Sequence, residues 1–511
     1  MILSISEVSL SRLSEFVATE MGLHLPRERW SDLERGIRSA AREFGFKDAE
    51  PCIDWLVSSP LARNQIEILA SHLTVGETYF FREQKSFEIL EEQIFPELIR
   101  TRRRGEQSLR IWSAGCCTGE EPYSIAMLLR KMIPNLKDWN ISILATDLNP
   151  RSLQKASDGV YPKWSFRCTP QGVREKYFRL TQENRWAILP HIKQMVTFDY
   201  LNLVEDAYPS LLNHTNAMDV IFCRNVLMYF TPDGAEKTVQ NLFRTLVNGG
   251  WLLVSPSETS HVLFSQFVSV NFPGVTLYRK GSHHPTQAVE IFSAGLSSKS
   301  QAPFQSSPDS SGGFDSSARP PLKVQELLPS NVECRNRAEP QPASFGEALT
   351  LYEQGRYEEA AERTAILLSQ GRDDAKSMVL LTRVYANQGR LSEALEWCKK
   401  AIEADKLNAG YYYLRATILQ EQGSYGEARM SLKRALYLDQ NFVLAHFALG
   451  NLTLREGKLE ESEKHFENAR SILISFRQEE ILPESEGITA GRLLEIITVH
   501  RDHGSWAEDQ G

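Results

Sequence analysis

Cysteine is scarce and unpatterned in this chain of 511 residues: there are seven, an odd number, with no paired C-x-x-C spacing. That argues against a disulfide framework and against a cysteine-held zinc site, and the vicinal Cys116–Cys117 pair is expected to be reduced. The histidines are scattered, with His283–His284 at the edge of a low-complexity stretch, so no metal site is expected. No run reaches the roughly 18 consecutive apolar residues of a membrane helix. The first 22 residues are interrupted by Glu7, Arg12, Glu15 and Glu20 and read as a helix and not as a signal peptide. Nor is there a basic excess: the formal net charge is −8, and aromatic residues are not interleaved with basic ones, which leaves nucleic acid without a footprint. An N-P-P-Y motif and a Pro-Cys nucleophile pair are also missing. What remains is an ordinary soluble composition, too long for one core, so two or three domains are expected.

The most informative stretch is Ile111–Ala126, IWSAGCCTGEEPYSIA. An apolar strand over 109–114 runs into a turn bracketed by Gly115 and Gly119, and the turn opens a helix whose free N–H groups face outward. Two acids, Glu120 and Glu121, stand at the helix start, where a pyrophosphate site would keep small residues, so a positively charged ligand is expected. The sulfonium and ammonium of S-adenosylmethionine suit it, although on the turn alone a dinucleotide remains a competitor. Asp147 closes the next strand, ISILATD, where a carboxylate can accept both ribose hydroxyls of a nucleoside; its other reading is an N-cap for the helix starting near Pro150.

Around this turn the chain divides. Residues 1–75 keep helical spacing throughout and predict a small all-α domain. Within it Arg35, Arg38 and Arg42 share one helix face, either a solvated surface or a dock for an acidic partner. Residues 76–280 alternate strands (109–114, 141–146, 195–199, 218–223, 250–254, 275–279) with helices (84–103, 121–132, 150–157, 232–247), which predicts a mostly parallel sheet with its ligand at the carboxyl edge. The alternation breaks at about 159–195, where YPKWSFRC, YFRLTQENRWAIL and HIKQM read as short strands around a small helix, an antiparallel insertion. Residues 281–342 are rich in Ser, Pro and Gln and predict a disordered linker. Beyond it Gly355, Gly389, Gly423 and Gly457 recur every 34 residues, with Ala360, Ala394, Ala428 and Ser462 five positions later. That period is the tetratricopeptide length and predicts about four repeats over 343–475, followed by a tail at 476–511. The expected fold class is therefore α/β, a mostly parallel sheet with a small antiparallel insertion, preceded by an all-α domain and followed by an all-α solenoid.

Three stretches taken together, VGETYFFRE, IWSAGCCTGEEPYSIAM and IFCRNVLMYF, resemble the bacterial chemotaxis receptor methyltransferases, the CheR family, in order and over about residues 1–280. The resemblance implies an S-adenosylmethionine-dependent protein-glutamate O-methyltransferase that forms glutamyl methyl esters on a methyl-accepting chemoreceptor and releases S-adenosyl-L-homocysteine. It implies Gly76, Thr78 and Arg82 along the donor pocket, Glu121 on the methionine ammonium with Glu120 beside it, and Asp147 on the ribose. Asn202 and Leu203 would lie beside the adenine, Arg224 and Asn225 along the donor, and Tyr229 near the transferred methyl, where an aromatic core residue is the plainer reading. Arg82 and Tyr229 are the expected catalytic residues, and Arg35, Arg38 and Arg42 the expected substrate-docking residues. Family members often have Asn where Gly76 stands. Members that tether to a receptor tail carry a glycine-rich turn in the insertion; here the turn Leu180–Asn184 has none, so no tether is expected. The repeats would bind an unidentified protein or peptide, joined to the enzyme through effective concentration more than through fixed geometry. The expected location is the cytoplasm, with recruitment to membrane receptor arrays through a partner and no nucleic acid or direct membrane insertion. A non-catalytic S-adenosylmethionine-sensing scaffold is the alternative.

Overall fold

The computed structural model describes residues 5–281 and 344–504, apart from 59–60, 103–106, 205–207, 212, 370–373 and 486. The linker expected at 281–342 lies outside the described residues save for Gly281. No helix among the described residues is long and apolar enough to cross a membrane.

Four helices open the chain: α1 (Glu7–Met21), α2 (Trp30–Glu43), α3 (Ala49–Leu56) and α4 (Arg63–Leu73). They bury residues at helical spacing, among them Leu13, Val17, Leu33, Ile37 and Leu69. The Ser6 hydroxyl accepts from the Ser9 N–H to start α1. The helix expected over 84–103 comprises α5 (Gln84–Ile89) and α6 (Phe95–Arg102), with a π-helical turn at Leu90–Ile94 between them.

The central sheet then builds from β1 (Ser108–Ala114), α7 (Glu120–Met132), β2 (Asn140–Asp147) and α8 (Pro150–Asp158). Next comes the insertion: β3 (Val160–Tyr161), α9 (Val173–Tyr177), β4 (Phe178–Leu180), β5 (Trp186–Ile188) and α10 (Pro190–Lys193). It forms a three-stranded antiparallel sheet ordered β3-β5-β4. Two of its segments differ from expectation: YPKWSFRC holds a 3-10 turn at Lys163–Phe166, and the first three residues of HIKQM lie in α10. Pro162 and Pro190 sit at the starts of these turns and preset a helical φ, which overrides the short apolar alternation. The main sheet resumes with β6 (Val196–Tyr200), β7 (Met218–Phe222), α11 (Pro232–Thr245), β8 (Leu246–Leu253), β9 (Val268–Phe272) and β10 (Val275–Arg279). Its order is β6-β2-β1-β7-β8-β10-β9, parallel through β8 and antiparallel for β10 and β9. Strand β9, half exposed and polar on one face, is not among the expected strands. The order reverses between β1 and β7, so the crevice at their carboxyl ends is where such a sheet binds ligand.

The C-terminal region stacks four helix pairs: α12 (Phe345–Glu353) with α13 (Tyr357–Ser369), α14 (Ala375–Asn387) with α15 (Leu391–Ala404), α16 (Ala409–Glu421) with α17 (Tyr425–Leu438), and α18 (Val443–Arg455) with α19 (Leu459–Leu473). A hairpin loop closed by an Ile481–Thr489 bridge leads into α20 (Ala490–Gly504).

The expectation of a loosely tethered solenoid is corrected by direct packing, since the repeats and the α/β region form one compact unit. Glu421, fully buried at the end of α16, lies 3.6 Å from the Arg110 guanidinium and accepts from Asn216 Nδ2 at 3.1 Å, while its carbonyl accepts from Asn140 Nδ2 at 2.6 Å. Leu211 of the α/β region packs among Ala386, Leu391, Ala394, Leu414 and Ile418 of the repeats. These contacts lie at the amino ends of β1, β2 and β7, the edge away from the ligand crevice.

Candidate active site

One deep cavity at the carboxyl edge gathers side chains from six parts of the chain. The segment between α4 and α5 crosses it with Gly76, Thr78 and Arg82; β1 delivers Gly115 to Cys117, α7 delivers Glu121, and β2 delivers Asp147. Asn202 and Leu203 come just after β6, Arg224 and Asn225 just after β7, and Tyr229 ends the 3-10 turn Leu227–Tyr229. The end of α1 at Met21, the segment Leu23–Leu25 and Arg29 complete the wall.

Local conformation explains why these residues meet. Gly115 has φ 82°, and a Cβ there would fall 2.4 Å from Val226 Cγ2, so only glycine lets the loops after β1 and β7 close together. At Gly76 a Cβ would fall 2.9 Å from Cys117 Sγ: the bulk absent at position 76 is replaced by the thiol opposite. Four non-glycine residues flanking the cavity, Phe81, Glu83, Cys117 and Asn225, hold φ between 49° and 59°. Left-handed backbone at such residues costs about 1–3 kcal/mol each and persists where the surroundings enforce it.

The polar contacts are specific. Asp147 accepts from the Asn149 N–H through Oδ1 and from the Cys117 N–H through Oδ2, both at 2.8 Å. The helix N-cap read as its alternative role belongs to Asn149, whose Oδ1 accepts from the N–H groups of Arg151 and Ser152. Glu121 accepts from the Ser113 hydroxyl at 2.7 Å and from Arg224 Nη1 at 3.1 Å. Arg224, buried, also donates to the Arg82 carbonyl and lies 2.9 Å from Glu83 Oε2, tying the upstream segment to the β7 loop. Burial pushes the Asp147 and Glu121 carboxyls up from their usual values, against the pull of backbone N–H groups on the first and of Arg224 on the second. Burial likewise pushes the Cys117 thiol up to about 12, helped by Asp147, and Cys116 well above its ordinary value, so neither offers a thiolate near neutral pH.

Arg82 donates to the Glu77 carbonyl at 2.7 Å and has no ion-pair partner among the described residues. Tyr229 is held from the N-terminal domain: its carbonyl accepts from the His24 N–H at 2.6 Å, Leu23 bridges to Phe230, and the Arg29 guanidinium lies 5.4 Å over its ring.

The structure gathers every expected pocket residue at this cavity except Glu120. Adjacent helical residues point about 100° apart, so while Glu121 faces the cavity Glu120 faces the insertion, accepting from the Thr118 and Ser165 hydroxyls. Asn202 lines the wall, but its amide donates to the Glu20 carbonyl and its Oδ1 accepts from the Val204 N–H. Arg35, Arg38 and Arg42 lie on α2 outside the cavity; Arg35 pairs with Asp32 and Arg38 with Glu34, while Arg42 is exposed.

Sequence reasoning missed Glu258. Its buried carboxylate accepts from four backbone N–H groups, Asn225 (2.6 Å) and Ser255 (3.1 Å) through Oε2, Val226 (2.8 Å) and Met228 (3.2 Å) through Oε1, and so shapes the whole loop after β7. The signal was present as Ser255-Pro-Ser-Glu258, a capping-box spacing. Arg29 and His24 were also missed.

A seven-stranded sheet with this strand order, a glycine turn after β1 and a carboxylate ending β2 defines an S-adenosylmethionine-dependent methyltransferase, and the cavity residues fit that donor: two partly exposed carboxylates, Glu121 and Asp147, suit its cationic and ribose groups, and Asn225 Oδ1 is buried without a hydrogen-bond partner. Residues 76–272 match the CheR methyltransferase SAM-binding domain, and 345–409 and 409–442 match tetratricopeptide repeats. A chemotaxis protein methyltransferase of Borreliella burgdorferi is 35% identical over half of this chain and 90% of its own length, and chemotaxis protein methyltransferase 2 of Vibrio cholerae is 37% identical over 42% and 73%. The probable biofilm formation methyltransferase WspC of Pseudomonas aeruginosa is 27% identical over 83% of this chain and 97% of its own. The chain belongs to the CheR family of chemotaxis methyltransferases and carries tetratricopeptide repeats behind the catalytic region.

Proposed function

We propose that this enzyme methylates glutamate side chains on the helical cytoplasmic domain of a chemoreceptor-like protein, forming glutamyl methyl esters. The observation that carries the reading is Arg82, a cavity-lining guanidinium with no acidic partner among the described residues, in a site without a thiolate. A glutamate, with pKa near 4.3, is already an anionic nucleophile at neutral pH and needs a cation to orient it more than a base to activate it.

S-adenosylmethionine supplies an electrophilic methyl carbon on sulfur. Glu121 and Asn225 Oδ1 hold the ammonium end, Asp147 the ribose, and Leu203 the adenine. Arg82 orients the incoming carboxylate side-on without protonating it, and Tyr229, fixed through His24 and Arg29, lines the approach. Alignment of this kind is worth about 7–11 kcal/mol at best. Arg42, with the partly paired Arg35 and Arg38, offers α2 as the surface toward the receptor. The turn Leu180–Asn184 achieves its reversal with Asn184 at φ 58° instead of a glycine, consistent with a receptor that needs no tail tether. The alignment with WspC spans 83% of this chain, the methyltransferase and most of the repeats together, which supports reading the repeats as a working part of the methyltransferase.

Incubating the enzyme with methyl-labelled donor and a panel of receptor cytoplasmic domains from the same cell tests this. Base-labile label on a receptor supports it. Donor binding by calorimetry without base-labile transfer to any receptor refutes it and favours the sensing scaffold.

A further inference from the structure

The antiparallel insertion carries charge of the opposite sign to the chain as a whole. Residues 159–195 hold seven Lys and Arg against two Glu, a net charge of +5 in a chain whose formal net charge is −8. Such asymmetry draws an acidic body to the basic part. Where the insertion meets the segment that crosses the cavity, the charge is built into a ladder of alternating aromatic rings and guanidinium groups. The Arg82 guanidinium lies 5.8 Å from the centre of the Tyr79 ring, the Arg167 guanidinium lies 3.8 Å from that same ring, and Arg167 lies 4.7 Å from the Trp164 ring. Arg82 is the inner rung, at the cavity, and Trp164 the outer one, 69% exposed.

The ladder stands on a fixed floor. Phe80 and Phe166, each adjacent in sequence to a rung, are buried and stack with ring centres 4.9 Å apart. The Phe80 N–H donates to the Ser165 carbonyl at 2.9 Å, and the Ser165 hydroxyl donates to the buried Glu120 carboxylate at 3.0 Å. Arg167 itself donates to the Trp164 carbonyl at 3.2 Å and to Glu77 Oε1 at 3.1 Å, so its guanidinium is ordered before anything binds. Pre-ordered Trp, Tyr and Arg side chains are the anchors of protein interfaces. We propose that this ladder is the contact for an acidic amphipathic helix of the substrate protein, the helix that carries the methyl-accepting glutamate, and that Trp164 and Arg167 select it. The inference rests on the reading of Arg82 as the residue that orients that glutamate. A helix whose glutamate reaches Arg82 lies across the cavity mouth, and the three steps of the ladder continue from there over less than about three helical turns. An apolar side chain of the helix covers the open face of the indole, and its acids face Arg167 and the exposed Lys163. This contact uses neither the turn Leu180–Asn184 nor an added strand on the insertion's sheet, so it is separate from a tail tether.

The test measures methylation of a soluble receptor cytoplasmic fragment, free of lipid, by the full chain. Trp164→Ala is expected to raise KM for the fragment about tenfold or more, with a far smaller change in kcat and with donor affinity, read by calorimetry with S-adenosylhomocysteine, held within about twofold. Trp164→Phe recovers most of the loss. Arg167→Gln raises KM and flattens its dependence on salt. Arg179→Gln removes an exposed charge of the insertion that is not part of the ladder, and changes KM less than about threefold. Thermal melts check that each variant is folded. A native chain that labels no receptor fragment overturns the glutamate reading and this inference with it. Labelling by the native chain with KM unchanged in a folded Trp164→Ala chain overturns the ladder alone, as does an equal loss in Arg179→Gln and Arg167→Gln. Variants that keep the native KM but lose binding to phosphatidylglycerol vesicles mark a membrane contact and overturn it as well.

Discussion

Replacing Glu258 is the sharpest probe of how the cavity is built. The side chain touches no ligand-facing space, yet its two oxygens hold four backbone N–H groups, and its removal leaves them inside the loop that carries Arg224 and Asn225. Glu258→Gln keeps one acceptor oxygen and turns an NH2 group toward two of the donors. With about 1–3 kcal/mol for each of the two buried donors left unmet, the cost is about 2–6 kcal/mol. Asn225 sits at φ 58° between the two strongest of these bonds, so the same change frees it to relax. Donor affinity should fall about tenfold or more, one decade for each 1.4 kcal/mol of misplacement. The companion Asn225→Gly keeps the left-handed backbone while deleting Oδ1; it should melt as the native chain does and still lose donor affinity. Calorimetry with S-adenosylhomocysteine and thermal melts read both. A Glu258→Gln chain whose melting point falls while its donor affinity is unchanged would refute the claim that this carboxylate sets the donor site.

Arg82→Ala should retain donor binding within a few-fold and lose most turnover, while Arg82→Lys recovers part of it; full turnover in the alanine variant would remove Arg82 from the reaction. Donor affinity should weaken as pH is lowered through the raised carboxyl values of Glu121 and Asp147, because burial favours their neutral forms and a cationic ligand needs them ionised. The ligand-free enzyme should show the opposite sign. Its folded state holds protons the unfolded chain has released, so the contribution of these two groups to stability shrinks as pH rises from the ordinary carboxylate value through the raised one. Melts with and without donor across that range check both. Glu421→Ala leaves Arg110 with its charge buried at the enzyme–repeat contact, at a cost of about 3–5 kcal/mol; hydrogen exchange should rise in 208–217 and in α16, and unchanged exchange there would show that the contact does not hold the repeats.

Much of this molecule was legible because its signals were local. The strand ends, the glycine turn and the helix starts come from periodicity and from proline and glycine chemistry, and Glu121, Asp147 and Arg82 reach the cavity because the sheet's carboxyl edge leaves them nowhere else to point. Glu120 was misplaced for a reason of angle: two adjacent acids cannot both face one pocket from a helix. The insertion was misread where Pro162 and Pro190 turned short apolar runs into helical turns. Glu258, Arg29 and His24 were not legible as site residues, because each acts through contacts made across more than thirty positions of chain or from another domain. The docking of the repeats was invisible for a related reason. Glu421 reads as an ordinary helix-surface acid until Arg110, Asn216 and Asn140 are brought around it by the enzyme's own fold.

That docking changes what the repeats can do. The loop after β6 begins at Leu203 in the cavity wall, and Tyr208 returns to it, its hydroxyl donating to the Leu203 carbonyl at 2.6 Å while its ring packs edge-on against Trp112 of β1. Three residues further Leu211 enters the repeats, and Asn216 donates to Glu421 just before β7 starts. One loop thus has its first end at the donor and its middle in the solenoid. A module joined only by a flexible linker would raise the local concentration of a receptor and leave the chemistry untouched. A module that grips this loop is packed against the same segment that lines the donor cavity, so loosening the contact, as in Glu421→Ala, is expected to register in donor affinity as well as in stability.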